Sequence, residues 1–216
     1  VGSGQSEIAV AVGSELSSIR FRPVVYEPAM ERLQDRQARM SAEFLRWTLS
    51  DGAGAAVFEP EPRGPLSYKI DSIVTRSFAH QFDSCMYAGA SPGEVADFIM
   101  NWSALPQGVP GAAADGSVIL LQDMPLLKQI FRVWAKEVAV AADNGHFDPK
   151  TIDWMLCHYS AASLRDEFAA LMEEEGAGID IEKWWSNLAY RGNTGSASSF
   201  TLLHDFLESG EAKPGD

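Results

Sequence analysis

Cysteine is nearly absent, with Cys85 and Cys157 the only two in 216 residues. With so few cysteines and no charged start followed by an apolar stretch to mark a secretory signal, a cytoplasmic protein is expected. Basic residues are scarce as well. Seventeen Lys and Arg stand against 30 Asp and Glu, a formal net charge of −13. That balance argues against nucleic acid as the main partner, because phosphate neutralisation needs clustered cations. Long apolar runs are missing too. The stretches around Ile8–Val12 and Val118–Leu121 fall far short of the roughly 20 residues that cross a bilayer, so no membrane anchor is expected. There is no repeat, no low-complexity tract and no metal-ligand cluster. The glycine-rich SDGAGA at 50–55 lacks the lysine and the spacing of a nucleotide-binding loop.

What is present is a chain rich enough in apolar residues, 46% of the total, to bury a sizeable core. A Gly/Ser turn leads into the unbroken apolar run Ile8–Val12, read as a buried strand covered on both faces, with its pairing partner expected upstream of Val1. Segment 29–47 carries Met30, Leu33, Met40 and Phe44 at loose helical spacing, as an amphipathic helix or a long insertion. Residues 48–58 read as a glycine-rich turn feeding a strand, and the alternation over Tyr68–Phe78 reads as the next strand, with the proline-rich EPEPRGP between them. Residues 90–117, rich in Gly, Pro and Ala, read as a long loop. Leu126, Leu127, Ile130, Phe131, Trp134, Val138 and Ala141 recur at threes and fours and predict a helix over 125–142, stopped by Asn144-Gly145. Ile152–Cys157 reads as a short strand with His158 directly after it. Helices follow over 163–175, through Leu164, Phe168, Leu171 and Met172, and over 196–209, through Phe200, Leu203, Phe206 and Leu207, the latter closed by Gly210. Strands alternating with helices indicate an α/β protein with a sheet covered on both faces.

Taken singly, the polar residues in these turns have plain explanations. A histidine after a strand is usually a satisfied core or edge group. Asn193 could simply open the helix that follows it. Trp134 and the Trp184-Trp185 pair suit a core or a subunit interface, and both cysteines suit packing. Arg32, Arg36 and Arg39, interleaved with Glu31, Asp35 and Glu43, suit a solvated helix face.

Taken together, SDGAGA at 50–55, IDWMLCH at 152–158, YRGNTGSAS at 190–198 and the closing EAKPGD at 211–216 resemble the ketoacyl synthase III family of thiolase-fold condensing enzymes. The motifs come in the family's order, and the resemblance covers most of the chain, most weakly over 17–42 and 80–117. It implies a layered αβαβα thiolase-like fold, incomplete in this chain. Residues 1–78 would end the N-terminal half, 79–117 would be a loop-rich connection, and 118–216 would form the C-terminal half. It further implies an acyltransferase that joins an acyl thioester to a malonyl- or β-ketoacyl-thioester by Claisen condensation, in fatty acid or polyketide biosynthesis. His158 and Asn193 would be its catalytic donors. Lys128 would be a substrate-binding residue near the tunnel mouth. Substrates would be acyl carrier protein or CoA thioesters, with no cofactor and no metal. The family's cysteine nucleophile precedes the strand represented here by Ile8–Val12, so it would come from an N-terminal segment upstream of Val1 or from a partner subunit, in a homodimer or heterodimer.

Two departures qualify the resemblance. His158-Tyr159-Ser160-Ala161 stands where common members have His-Gln-Ala-Asn, which suggests a specialised branch of secondary metabolism. Glu173-Glu174-Glu175 ends a helix where basic residues often face an acidic carrier. The alternative to an enzyme is a non-catalytic subunit of a heteromeric ketosynthase. Retention of both His158 and Asn193 favours catalysis, because a scaffold needs neither.

Overall fold

The computed structural model describes residues 4–64, 67–88, 108–115 and 118–215. The chain forms two compact units, one of residues 1–16, 50–75 and 131–216, the other of 17–49 and 76–130.

The first unit is built on an antiparallel pair, β1 (Ala9–Glu15) and β2 (Gly52–Phe58), in register from Ala9 opposite Phe58 to Glu15 opposite Gly52. Side chains alternate across such a pair, and the two faces differ sharply here. Gly13, Gly52 and Gly54 lie on the face against which the last helix of the chain packs. A Cβ on Gly54 would lie 2.5 Å from the Phe200 Cβ, and one on Gly52 2.7 Å from the Thr194 Cβ. Helix and turn therefore approach to backbone distance, which only glycine permits. The expectation that the Ile8–Val12 strand is covered on both faces is not met. Val10, Val12 and Val57 on the opposite face are 60%, 68% and 63% exposed, and β1 has β2 as its sole described strand neighbour.

The remaining regular elements of this unit are helices. The helix expected over 125–142 is present as α4 (Met124–Asp143), which starts in the other unit, where Asp123 Oδ1 accepts the Leu126 N–H at 2.9 Å. It stops at Gly145, whose φ of 76° suits the residue after a helix. Helix α5 (Ala162–Glu174) buries Leu164, Leu171 and Met172, and α7 (Ser198–Ser209) buries Leu202 and Phe206 and ends at Gly210, φ 75°. Aromatic rings join these helices to the intervening segments. Phe168 meets Phe131 at 5.6 Å and Trp184 at 6.3 Å, while Phe206 meets Trp154 at 5.2 Å and Trp185 at 5.5 Å. Trp184 is thus a core residue, as expected, whereas Trp134 is 45% exposed.

Two expected strands are not formed. Residues 67–78 are irregular and largely exposed, because no described segment offers their backbone a ladder. Residues 152–157 are held by an isolated parallel bridge from Met155 to Trp184 and by Lys183 Nζ donating to the Ile152 carbonyl at 2.6 Å.

In the second unit the segment expected as one helix or an insertion is two helices, α1 (Pro23–Arg32) and α2 (Arg36–Thr48). The break has a local cause. Asp35 caps α2 by accepting the Ala38 N–H at 2.6 Å, while Arg39 Nη1 donates to the Met30 and Leu33 carbonyls at the end of α1, at 2.6 and 3.1 Å. Both helices bury a face (Tyr26, Ala29, Met30, Ala42) with Ile119 and Leu121, beside a second antiparallel pair, β3 (Met86–Ala88) with β4 (Leu120–Gln122). The Tyr26 phenol is pushed up to about 12 by burial, and Arg46 lies 4.7 Å over its ring. Of the expected loop over 90–117, residues 90–107, 116 and 117 lie outside the described residues, and Gly108–Asp115 is not loop but helix α3. No described helix is long and apolar enough to cross a membrane.

Candidate active site

His158 follows the Met155 bridge and precedes α5. The residue is exposed to solvent, its imidazole makes no hydrogen bond to another described residue, and partial desolvation by the surrounding cleft lowers its pKa below the ordinary 6.5. The neutral ring, with one N–H to donate, is therefore the form present at neutral pH. The side chain borders a small cleft that is also lined by Cys157, Tyr159, Asn187, Gly192 and Leu202.

Asn193 stands one residue beyond Gly192 and is 5% exposed. Three contacts fix it. Its backbone carbonyl accepts the Ser50 N–H at 2.8 Å, which ties it to the SDGAGA segment. Its Oδ1 accepts the Gly195 N–H at 3.0 Å. Its neighbour Thr194 packs against Gly52 and reaches the Ser198 hydroxyl at 3.1 Å. Helix opening and a polar function are thus compatible, because the oxygen serves the turn. The Nδ2 amide donates to no described residue. Glu15, at the end of β1, steadies the same turn by accepting the Ser196 N–H at 3.0 Å on Oε1, a favourable place for a carboxylate just ahead of a helix.

Sequence reasoning missed the network behind the cleft. Asp205, on the buried face of α7, accepts Arg191 Nε at 2.8 Å, Arg191 Nη2 at 2.7 Å and Asn187 Nδ2 at 2.9 Å. The Arg191 hydrogen bond, more than any other contact, holds its carboxyl below the ordinary range. The available signal was a carboxylate at the position of Leu202 and Phe206 on an apolar stripe, where an unpaired charge would be costly.

The remaining candidates separate. Lys128 is exposed on the part of α4 that belongs to the second unit. Cys85 precedes β3 in that unit, and burial raises its thiol. Cys157 borders the cleft, but its Sγ faces the His158 carbonyl at 3.6 Å and burial pushes it up to about 11. A thiol that far above neutrality is a poor nucleophile. Among the described residues no group of His, Cys, Asp and Glu is arranged to hold a metal ion.

Residues 142–216 match the family model described as 3-oxoacyl-[acyl-carrier-protein (ACP)] synthase III C terminal. The beta-ketoacyl-[acyl-carrier-protein] synthase III of Synechococcus sp. (strain RCC307) is 27% identical over 172 residues, covering 76% of this chain and 45% of that protein. Among solved structures, 3-oxoacyl-(acyl carrier protein) synthase III, FabH, of Pseudomonas aeruginosa PAO1 superposes with a TM-score of 0.61 at 20% identity, over 99% of this chain and 54% of that one. Cerulenin-bound OleA of Xanthomonas campestris gives a TM-score of 0.61 at 18% identity, over 99% and 52%. The chain spans about half the length of these relatives.

Proposed function

From a ketoacyl synthase III-like chain with a thiolase-type fold, we propose that the protein is a condensing acyltransferase in which His158 and Asn193 stabilise an enolate. The acyl group is carried as a thioester on a cysteine outside this chain. In a malonyl thioester the bond to the carboxylate breaks, carbon dioxide leaves, and the electron pair passes to the thioester as an enolate. The imidazole N–H of His158 and Nδ2 of Asn193 donate to its oxygen. The enolate carbon then attacks the acyl-cysteine carbonyl, and collapse of the tetrahedral intermediate expels the thiolate. The products are a β-ketoacyl thioester and carbon dioxide. The sequence is redox-neutral and needs no metal. Thioesters of CoA or of a carrier protein fit as substrates.

The observation that carries this reading is the division of labour in Asn193: Oδ1 is consumed by Gly195 N–H, while Nδ2 donates to no described residue, and it is the neighbouring Gly192, not Asn193 itself, that lines the cleft His158 borders. Donors fixed before reaction act as an oxyanion hole, each contributing on the order of 3 to 4 kcal/mol. The test is Asn193→Ala in the assembled protein, including whichever segment or subunit carries the cysteine. Condensation should fall by about 100-fold or more. Acyl loading, followed by intact mass, should persist, since it depends on the thiolate. Unchanged product formation would remove Asn193 from the mechanism. Absence of both loading and condensation in the unsubstituted assembly would instead support a non-catalytic subunit.

A further inference from the structure

We propose that Asp205 is a positioning residue for the condensation, acting through Arg191 on the turn that aims Asn193. This deepens the reading above and rests on it. Between the short helix α6 (Leu188–Arg191) and Asn193 stands Gly192, with φ 70° and ψ −166°. Glycine adopts this backbone readily but shares it with many alternatives, so local sequence does not determine the angle at which Asn193 leaves α6. Tertiary contacts on each side of the glycine must do so.

Downstream, those contacts are Ser50 N–H on the Asn193 carbonyl and Gly195 N–H on its Oδ1. Upstream, among the described residues, α6 is joined to α7 beside the glycine by the fork of Arg191 on the Asp205 carboxylate, at 2.8 and 2.7 Å. Two parallel bonds between planar groups fix orientation as well as distance. The Asp205 side chain is 8% exposed and that of Arg191 48%, so the carboxylate is the rigid member and the arginine reaches down to it. Asp205 Oδ2 also holds Asn187 Nδ2 at 2.9 Å, and Asn187 borders the cleft beside His158. One buried carboxylate therefore registers both the wall next to His158 and the start of the Asn193 turn. Asp205 itself does not line the cleft. Its effect must pass through its partners.

The test is a double-mutant cycle in the assembled protein, pairing Asp205→Asn with Asn193→Ala and measuring condensation of a malonyl thioester with the loaded acyl-enzyme. Asparagine keeps an acceptor for Asn187 and removes the charge that holds Arg191. Alone, Asp205→Asn should lower kcat by roughly 10- to 100-fold, the scale of a misplacement of about 1 Å, with KM for the malonyl thioester and acyl loading unchanged. In the Asn193→Ala background it should cost almost nothing further, because the donor it aims is gone. An equal loss in both backgrounds would show a general structural role and overturn the proposal, as would an unchanged kcat for the single variant. If Asn193→Ala alone leaves condensation intact, it is the enolate reading that fails, a distinct result obtained before Asp205 is touched. Should Asp205→Asn not fold, Arg191→Gln replaces it in the same cycle, because the arginine is half exposed and its removal leaves the Asn187 bond in place. Non-additivity with Asn193→Ala is expected of that variant too, and additivity would overturn the proposal.

Discussion

Replacing Gly13 by Ala separates packing from chemistry. A Cβ on Gly13 would lie 2.7 Å from the Ser196 carbonyl carbon and 3.0 Å from the Ala197 Cα, and closer still to the Ser196 oxygen. Carbon atoms in contact prefer about 3.5 to 4.0 Å, so strand and turn must part by roughly 1 Å. The neighbour is backbone and cannot swing aside. Overpacking of this kind costs about 1 to 3 kcal/mol, which at about 2 to 4 °C per kcal/mol for a protein of this size lowers Tm by roughly 2 to 12 °C. The displaced turn, Gly195–Ala197, begins two residues after Asn193 and is joined to it through the Gly195 N–H. Condensation should therefore fall by up to about 100-fold, while loading of the cysteine persists. Gly54→Ala is the control. It meets the Phe200 Cβ at 2.5 Å, so it should destabilise comparably, but it pushes on α7 beyond the turn. Calorimetry and product formation on both variants decide the matter. Equal activity losses at equal Tm would refute the claim that the Gly13 contact registers Asn193, and an unchanged Tm for Gly13→Ala would refute the packing itself.

Two further outcomes follow from single residues. Partial desolvation of the exposed His158 holds its pKa below 6.5, so below about pH 6.5 the unfolded chain takes up a proton more readily than the folded chain, and stability falls modestly until the folded pKa is passed. Denaturant titrations of His158→Gln should lack that slope, and retention of it would assign the slope to another group. Ala161, the N-cap of α5, has extended dihedrals (φ −154°, ψ 151°) and no side-chain cap, so Ala161→Asn should raise stability by about 0.5 to 2 kcal/mol in urea unfolding, and a loss would show that the site cannot accept a capping side chain.

How far the sequence reveals this molecule depends on whether the determining contacts are local. Helices α4, α5 and α7 were legible because apolar spacing of three and four and the stops at Gly145 and Gly210 are properties of short windows. SDGAGA was legible as a glycine-rich turn feeding a strand, although the close approach of its glycines to Thr194 and Phe200 was not. The alternation at 68–78 illustrates the opposite case. Alternation states which faces a strand would have, but a strand exists only where another backbone accepts its hydrogen bonds, and no described segment does so there. The same holds for 152–157, where pairing shrinks to the Met155 bridge. The run Ile8–Val12 carried no alternation at all, because alanine and valine both count as apolar. Size rather than polarity distinguishes its two faces: alanine and glycine pack inward on α7 and the turn before it, and valine points outward.

The candidate site divides along the same line. His158 and Asn193 were found through the resemblance of their turns, not through any signal of their own, since each has an ordinary explanation in isolation. The residues that hold them were invisible for a physical reason. Asn187, Arg191 and Asp205 meet across 14 and 18 positions of sequence, and no window short enough to show periodicity contains such a meeting. One trace of it was still present. On α7 the buried face runs Leu202, Asp205, Phe206, and a carboxylate there must either be neutralised or find cations and donors. The partners it finds, Arg191 and Asn187, lie on the far side of the Asn193 turn. A charge that interrupts an apolar stripe next to a chemically loaded turn therefore marks where the fold spends polar contacts on orientation, and Asp205 can be located by that rule before any coordinates are known.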